Sequence, residues 1–418
     1  MKRNLRLVLA LLLALALCFA LVACGNDDAE DAGEAGGDVT TFVIGFGGPL
    51  TQGSISFGQG ALRATELAVA QANESDEAKD LGIQFRVAEG DDESDAQTGI
   101  VAAEGIVSQR NLVGVVGHFN SAVTRPANAV YEEAGVVQIS YGSTNPGLTL
   151  PDWPDSPGRL GENFFRTCGN DALQGPAAAQ AAWDLGFRSV AVITYPDAYG
   201  RGLAMTFSEK WAELGGETLL DESAVENQTN YGPEVTRIRA ANPDFVFFGG
   251  TYDTAAGGGA LLARQLKDGG VDVPMMGGDG IQSAGFIEEA GPQSEGTIAT
   301  KPGQAIEDMA GGPAFIDAFT DMHAGEVPGG FDAFAYDAAN AIIRAVFDVA
   351  RTQGVDAVAT PAGRQAIIDY VAAINFEGVT GPVSFDALGD RNNAIVTTFL
   401  VEDGGWIVHP DVDAYVAD

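Results

Sequence analysis

Three cysteines, three histidines and many paired carboxylates are the residues of this 418-residue chain whose types could do covalent, metal or acid–base chemistry. His118, His323 and His409 stand far apart, and no His-Glu-x-x-His or suitably spaced cysteine pair gathers zinc ligands. No serine lies in the Gly-x-Ser-x-Gly pattern that presents a hydrolase nucleophile. The first apolar stretch runs into Gly45-Phe46-Gly47-Gly48-Pro49-Leu50. Leu50 takes the place of the third glycine of a dinucleotide fingerprint, and Pro49 interrupts the helix start. Gly257-Gly258-Gly259 lacks the Lys-Ser/Thr that completes a phosphate loop. Carboxylate pairs such as Asp91-Asp92 abound at this acidity and identify nothing. The expectation is a protein that is not an enzyme and carries no cofactor or metal.

One cysteine does have a chemical context. Residues 1–6 carry three positive charges, residues 7–22 are an apolar run of sixteen, and Leu21-Val22-Ala23-Cys24-Gly25 follows. A charged start, a short apolar run and small residues at its end make a secretory signal rather than a spanning helix. The ending looks like a bacterial lipobox, in which the Cys24 thiol is acylated and becomes the new N-terminus. Residues 1–23 are therefore read as a signal peptide, and the mature protein as anchored to the outer face of the membrane or in the periplasm. Residues 24–39 are read as a flexible tether: 25–38 hold six carboxylates, no Lys or Arg and nothing large and apolar. With Cys18 in the leader and Cys24 modified, Cys168 has no disulfide partner, and the fold must stand on its core.

The elements behind these residues alternate. Apolar strands are expected at 42–47, 83–87, 112–116 and 136–140, with amphipathic helices at 60–73 and 95–110. A loop rich in Pro and Gly follows at 145–161. A second series has strands at 190–194, 218–220, 245–248, 274–276 and 296–299, with helices at 203–214, 233–241 and 260–268. Long helices at 331–353 and 360–374 and strands at 394–401 and 406–408 close the chain. This is the pattern of α/β lobes with parallel sheets, whose ligands sit outside the carboxyl ends of the strands. The length suits two lobes. The formal charge of −36 becomes −39 once Lys2, Arg3 and Arg6 leave with the leader. Phosphates would be repelled, so nucleic acid and anionic lipid surfaces are excluded as partners. The acidity itself reads as a solvated surface suited to a salty medium.

At the expected strand ends stand ordered blocks: Gly48-Pro49-Leu50-Thr51 before Phe57-Gly58, Gly90-Asp91-Asp92-Glu93-Ser94-Asp95, and Gly117-His118-Phe119-Asn120-Ser121. Gly142-Ser143-Thr144-Asn145-Pro146, Phe165-Arg166-Thr167 leading to Gln174-Gly175, and Asp197-Ala198-Tyr199-Gly200 follow. Phe248-Gly249-Gly250, Gly277-Gly278-Asp279-Gly280 and Gly296-Thr297 with Lys301-Pro302 complete the set. In this order the chain resembles the branched-chain (Leu/Ile/Val) amino-acid-binding proteins of ABC importers, over about residues 41–410. The resemblance implies a type I periplasmic-binding fold: two Rossmann-like lobes joined by a three-crossing hinge and closing on ligand. By position the crossings fall near Asn170, Lys301 and Thr397. The N-terminal lobe would be 40–170 plus 302–396, and the C-terminal lobe 171–301 plus 397–418.

The resemblance also implies a site. An α-amino acid in a dry cleft needs donors for its carboxylate and acceptors for its ammonium, since either charge left unpaired costs several kcal/mol. Ser121 and Thr144, with the backbone of Gly142 and Ser143, would take the carboxylate. Asp279 would meet the ammonium, supplemented by Asp171, and Tyr199 would lie over the ligand as an aromatic wall. Phe57, Tyr252 and Phe331 match apolar pocket positions. Asp279 is one methylene shorter than the Glu of some relatives, and the loop after Gly250 is longer than theirs, leaving open whether Thr251 or Tyr252 faces the ligand. The implied partners are an amino acid, probed first as branched-chain, and the permease and ATPase of an importer, with the binding protein itself a monomer. Two alternatives stay open: a sensor module for a membrane receptor, and an importer component for amides, urea or other small carboxylates.

Overall fold

The computed structural model describes residues 39–154, 156–253 and 257–416. The expected signal peptide, Cys24 and all but the last residue of the expected tether lie outside them. Among the described residues no helix is long and apolar enough to cross a membrane.

The first sheet is built from β1 (Thr40–Gly48), β2 (Ile83–Asp91), β3 (Leu112–Gly117), β4 (Val137–Ser140) and β5 (Phe164–Arg166), in the order β2-β1-β3-β4-β5 and parallel throughout. β3 is an unbroken buried run, Leu-Val-Gly-Val-Val-Gly, as a strand covered on both faces requires. Its cover includes the helix Asp332–Gln353, which packs in turn on the helix Ile55–Glu74 over β1 and β2. The chain order reverses between β2 and β3 on either side of β1, so a crevice opens at the carboxyl ends of β1 and β3, where Gly47 pairs with Gly117.

The second sheet holds β6 (Ser189–Thr194), β7 (Glu217–Ser223), β8 (Phe245–Gly249), β9 (Met275–Gly277) and β10 (Ile298–Pro302), all parallel to their neighbours. A short antiparallel hairpin stands apart from both sheets, β11 (Asn375–Gly378) with β12 (Gly381–Ser384). β13 (Ile395–Glu402) then joins the second sheet antiparallel beside β10, and β14 (Gly405–Val408) and β15 (Tyr415–Val416) pair with β13. The order is β14-β13-β10-β9-β8-β6-β7, with its switch point at β6. The chain thus passes between the sheets three times: after β5, after β10, and between β12 and β13.

The sequence expectation lacks several elements, among them the helices Ser121–Glu133 and Gly312–Met322, β5, the β11–β12 hairpin and the helix Asp171–Asp184. β5 lies just beyond the expected loop, and a three-residue strand is too short to show a period. The β11–β12 hairpin interrupts what reads as featureless chain. The helix Asp171–Asp184 carries Gly175 and Pro176 in its interior, both of which argue against a helix on propensity. Packing overrides propensity here. Gly175 faces the helix Ala198–Glu213, and a Cβ there would stand 1.9 Å from Thr206 Oγ1 and 2.6 Å from the Phe207 nitrogen.

Candidate functional site

Each sheet delivers side chains from its carboxyl edge. Beyond β3, His118 to Asn120 lead into the helix Ser121–Glu133; beyond β4 comes the 141–145 loop; beyond β5 and Asn170 comes the helix that starts at Asp171. From the second sheet, Tyr199 follows β6, Thr251 and Tyr252 follow β8, and Asp279 follows β9. Phe119, Asn120, Ser121, Gly142, Tyr199, Thr251, Asp279 and Gly280 line one small cavity, of about 10 Å³, room for little more than a water.

One side of this cavity is acidic. Asp279 and Asp171 are both buried. Tyr199 donates its hydroxyl to Asp279 Oδ1 at 3.0 Å while accepting the Gly280 N–H at 3.0 Å. Thr144 donates to Asp171 Oδ2 at 3.1 Å. The glycine before Asp279 is needed for this approach: a Cβ on Gly278 would meet Gln174 Nε2 and the Tyr199 hydroxyl, each at 2.8 Å. Burial pushes the Asp279 carboxyl up to about 6, against the hydrogen bonds from Gln174 and Tyr199 that lower it. Burial and then the charge of Asp279 push Asp171 well above the carboxylate range. Three oxygens here are buried without a donor: Asp171 Oδ1, Gln174 Oε1 and Asn120 Oδ1. Buried acceptors are rarely left so. A group of acceptors with surplus negative charge and no donor calls for a cation rich in N–H, and a primary ammonium has three.

The other side is made for an anion. Ser121 opens a helix of 13 residues, and the N–H groups of Ser121 and Ala122 find no acceptor among the described residues. They carry the positive end of the helix dipole. Ser121 Oγ accepts the Asn145 N–H at 3.2 Å, which leaves its own proton to give. The backbone of the next loop behaves otherwise than expected. Gly142 N–H and Ser143 N–H turn to Ser140 Oγ, at 3.3 and 2.9 Å, and the Ser143 hydroxyl lies 2.6 Å from that of Thr124 and reaches the Phe119 carbonyl at 2.9 Å. Ser143 is thus spent inside the lobe, and Gly142 contributes room: a Cβ there would stand 2.4 Å from the Phe119 ring.

Of the expected aromatic positions Phe57, Tyr252 and Phe331, none lines the cavity; they cluster behind Phe119, which does. Phe57 stacks on Phe119 with centroids 4.4 Å apart and meets Phe331 and Tyr252 edge-on at 5.6 and 5.7 Å. Thr251 lines the cavity, whereas the Tyr252 hydroxyl reaches across to Ser56, 2.9 Å from its hydroxyl and 3.3 Å from its nitrogen. Phe119 and Asn120 line the cavity and Gln174 bonds to Asp279, three positions that the sequence reading did not single out. The first two sit inside the Gly-His-Phe-Asn-Ser block, and Gln174 lies three residues after Asp171, on the same helix face.

His118 and Asp92 are committed to each other inside the fold. His118 Nδ1 lies 2.6 Å from Asp92 and its Nε2 3.0 Å from the Tyr131 hydroxyl, all three buried, and the His118 carbonyl accepts from Ser140 at 2.7 Å. Among the described residues no group of His, Cys, Asp or Glu could hold a metal ion.

The sequence matches the family described as periplasmic binding protein over residues 41–404. It is 31% identical to the Leu/Ile/Val-binding protein homolog 2 of Brucella abortus over 381 residues, 90% of this chain and 91% of that protein. The fold is similar to the leucine binding protein LivK of Thermotoga maritima (TM-score 0.74, 23% identity, 88% and 99% of the two chains). It is similar too to the branched-chain amino acid transporter substrate binding protein LivJ of Streptococcus pneumoniae, solved with isoleucine (TM-score 0.74, 25% identity, 90% and 99%).

Proposed function

Because this chain belongs to the periplasmic binding protein family, a family of binding proteins and not of enzymes, we propose that it is the extracytoplasmic substrate-binding component of an ABC importer for an amino acid, with the branched-chain amino acids as first candidates. The observation that carries this reading is the polarity of the cavity. Asp279 and Asn120 line one end, with the donor-less buried oxygens of Asp171 and Gln174 beside Asp279, and a helix N-terminus whose Ser121 hydroxyl keeps its own proton to give serves the other. The aromatic cluster of Phe57, Phe119, Phe331 and Tyr252, which reaches the cavity through Phe119, favours an apolar side chain, and the relatives just named are Leu/Ile/Val-binding and branched-chain proteins.

In this reading the ammonium lies against Asp171 and Asp279, and Tyr199 aims Asp279 rather than stacking on the ligand. Thr144 holds Asp171, and the carboxylate rests on Ser121. The lobes, 40–170 plus 302–396 and 171–301 plus 397–418, close over it about the three passages. Acylation of Cys24, supported by the Leu-Val-Ala-Cys-Gly sequence, and the acidic segment behind it would keep a monomer within reach of its permease and ATPase.

The test is the two-ended charge requirement. Leucine should raise the melting temperature, as a ligand of the folded state does, while 4-methylpentanoate, which lacks the ammonium, and isoamylamine, which lacks the carboxylate, should not. Stabilisation by 4-methylpentanoate equal to that by leucine would remove the acidic pair from the site.

A further inference from the structure

Arg166 ends β5 and is fully buried, yet it touches nothing in the cavity. Four of the five N–H groups of its guanidinium are nevertheless committed. Nη1 donates to the carbonyls of Ser143 and Asn145, each at 2.9 Å, so it grips the chain on both sides of Thr144. Nη2 donates to Thr149 Oγ1 at 2.5 Å, and Nε to Asp390 Oδ1 at 2.5 Å. Asp390 in turn accepts from Thr149 at 3.0 Å and from Asn170 at 2.8 Å through its other oxygen. Asn170 caps the helix that begins with Asp171, its side chain accepting the Ala172 N–H at 3.0 Å. Asp171 N–H is bound to the Thr144 carbonyl at 2.8 Å.

The residues joined here come from three places: the loop carrying Thr144, the first passage between the sheets at Asn170, and the third passage at Asp390. A planar fork bonded through all three of its nitrogens fixes direction as well as distance. A buried guanidinium also could not persist without its acid.

We propose that Arg166, held by Asp390, is a positioning residue: it sets the placement of Thr144 and, through Thr144, of the carboxyl of Asp171. Ligand affinity is thereby tied to the geometry of two of the three passages. The inference rests on the reading of Thr144 and Asp171 as ligand-site residues.

A double-mutant cycle tests it, with the best bound of leucine, isoleucine and valine as probe and Kd as readout. Asp390→Asn and the milder Thr149→Val are each measured alone and on a Thr144→Val background. Thr149→Val removes one hydroxyl from the network and leaves the Arg166–Asp390 pair in place, so it keeps the test decisive if Asp390→Asn does not fold. Each is expected to weaken binding about tenfold in the native background and less than twofold when Thr144 is already gone, since residues acting through one another are not additive. Equal losses in the two backgrounds, or unchanged Kd in the Asp390 and Thr149 variants, would overturn the proposal. If Thr144→Val alone leaves Kd unchanged, the site reading falls as well, which separates the two failures.

Discussion

At the scale of single residues the account turns on two buried acids that feel each other's charge, of which Asp279 lines the cavity. Asp279→Asn keeps the shape and removes the charge. Losing one partner of a buried ion pair typically costs 3–5 kcal/mol, so amino-acid affinity should fall by about a hundredfold or more in a titration. The ligand-free melting temperature should hold or rise, because the variant relieves repulsion with Asp171. A large drop in that temperature would make Asp279 a structural acid. The same pair predicts a pH dependence. The Asp279 carboxyl is raised from an ordinary 3.8 to about 6, so the fold takes up a proton that the unfolded chain would have lost, and ligand-free stability falls as pH rises through that window. An incoming ammonium must displace the proton. Kd should therefore fall as pH rises from about 5, by up to tenfold per unit, and level off near neutrality. A Kd flat across that range would show that the pair is already ionised without ligand.

At the scale of elements, tight contacts between helices and across the cleft hold these groups in place. Gly175→Ala drives a methyl into Thr206 and the backbone at Phe207. Overpacking of this kind costs about 1–3 kcal/mol, and the melting temperature should drop by several degrees; an unchanged value would mean that the two helices part easily. Tyr252→Phe removes the bond to Ser56 but keeps the ring in the aromatic cluster. Loss of one net hydrogen bond, about 0.5–1.5 kcal/mol, should appear as a roughly threefold to tenfold faster release of ligand in stopped flow, with association little changed. Slower association with unchanged release would place that bond on the path of entry instead. Much at this scale was legible in sequence. The buried runs of β1, β3, β6 and β8 announce a parallel sheet by composition, and their glycine-rich ends point to the ligand edge. The Asp171–Asp184 helix was not legible, because Gly175 and Pro176 serve a packing need that only the neighbouring helix explains.

At the scale of the whole molecule, pairings distant in sequence escape any local reading. Arg166 meets Asp390 across 224 positions and Ser56 meets Tyr252 across 196. No periodicity carries such information, so a resemblance could suggest Asp279 and Asp171 but not what aims them. The turn of Gly142 and Ser143 N–H toward Ser140 was hidden for the same reason, since Ser140 looks like the last residue of an ordinary strand. The central claim is that this exported chain holds a branched-chain or closely similar amino acid between two lobes, and calorimetric titration with leucine, isoleucine and valine tests it most directly. The account predicts one-to-one binding of at least one of them, with the negative heat-capacity change of apolar burial. No heat of binding and no competition from any of the three would contradict it.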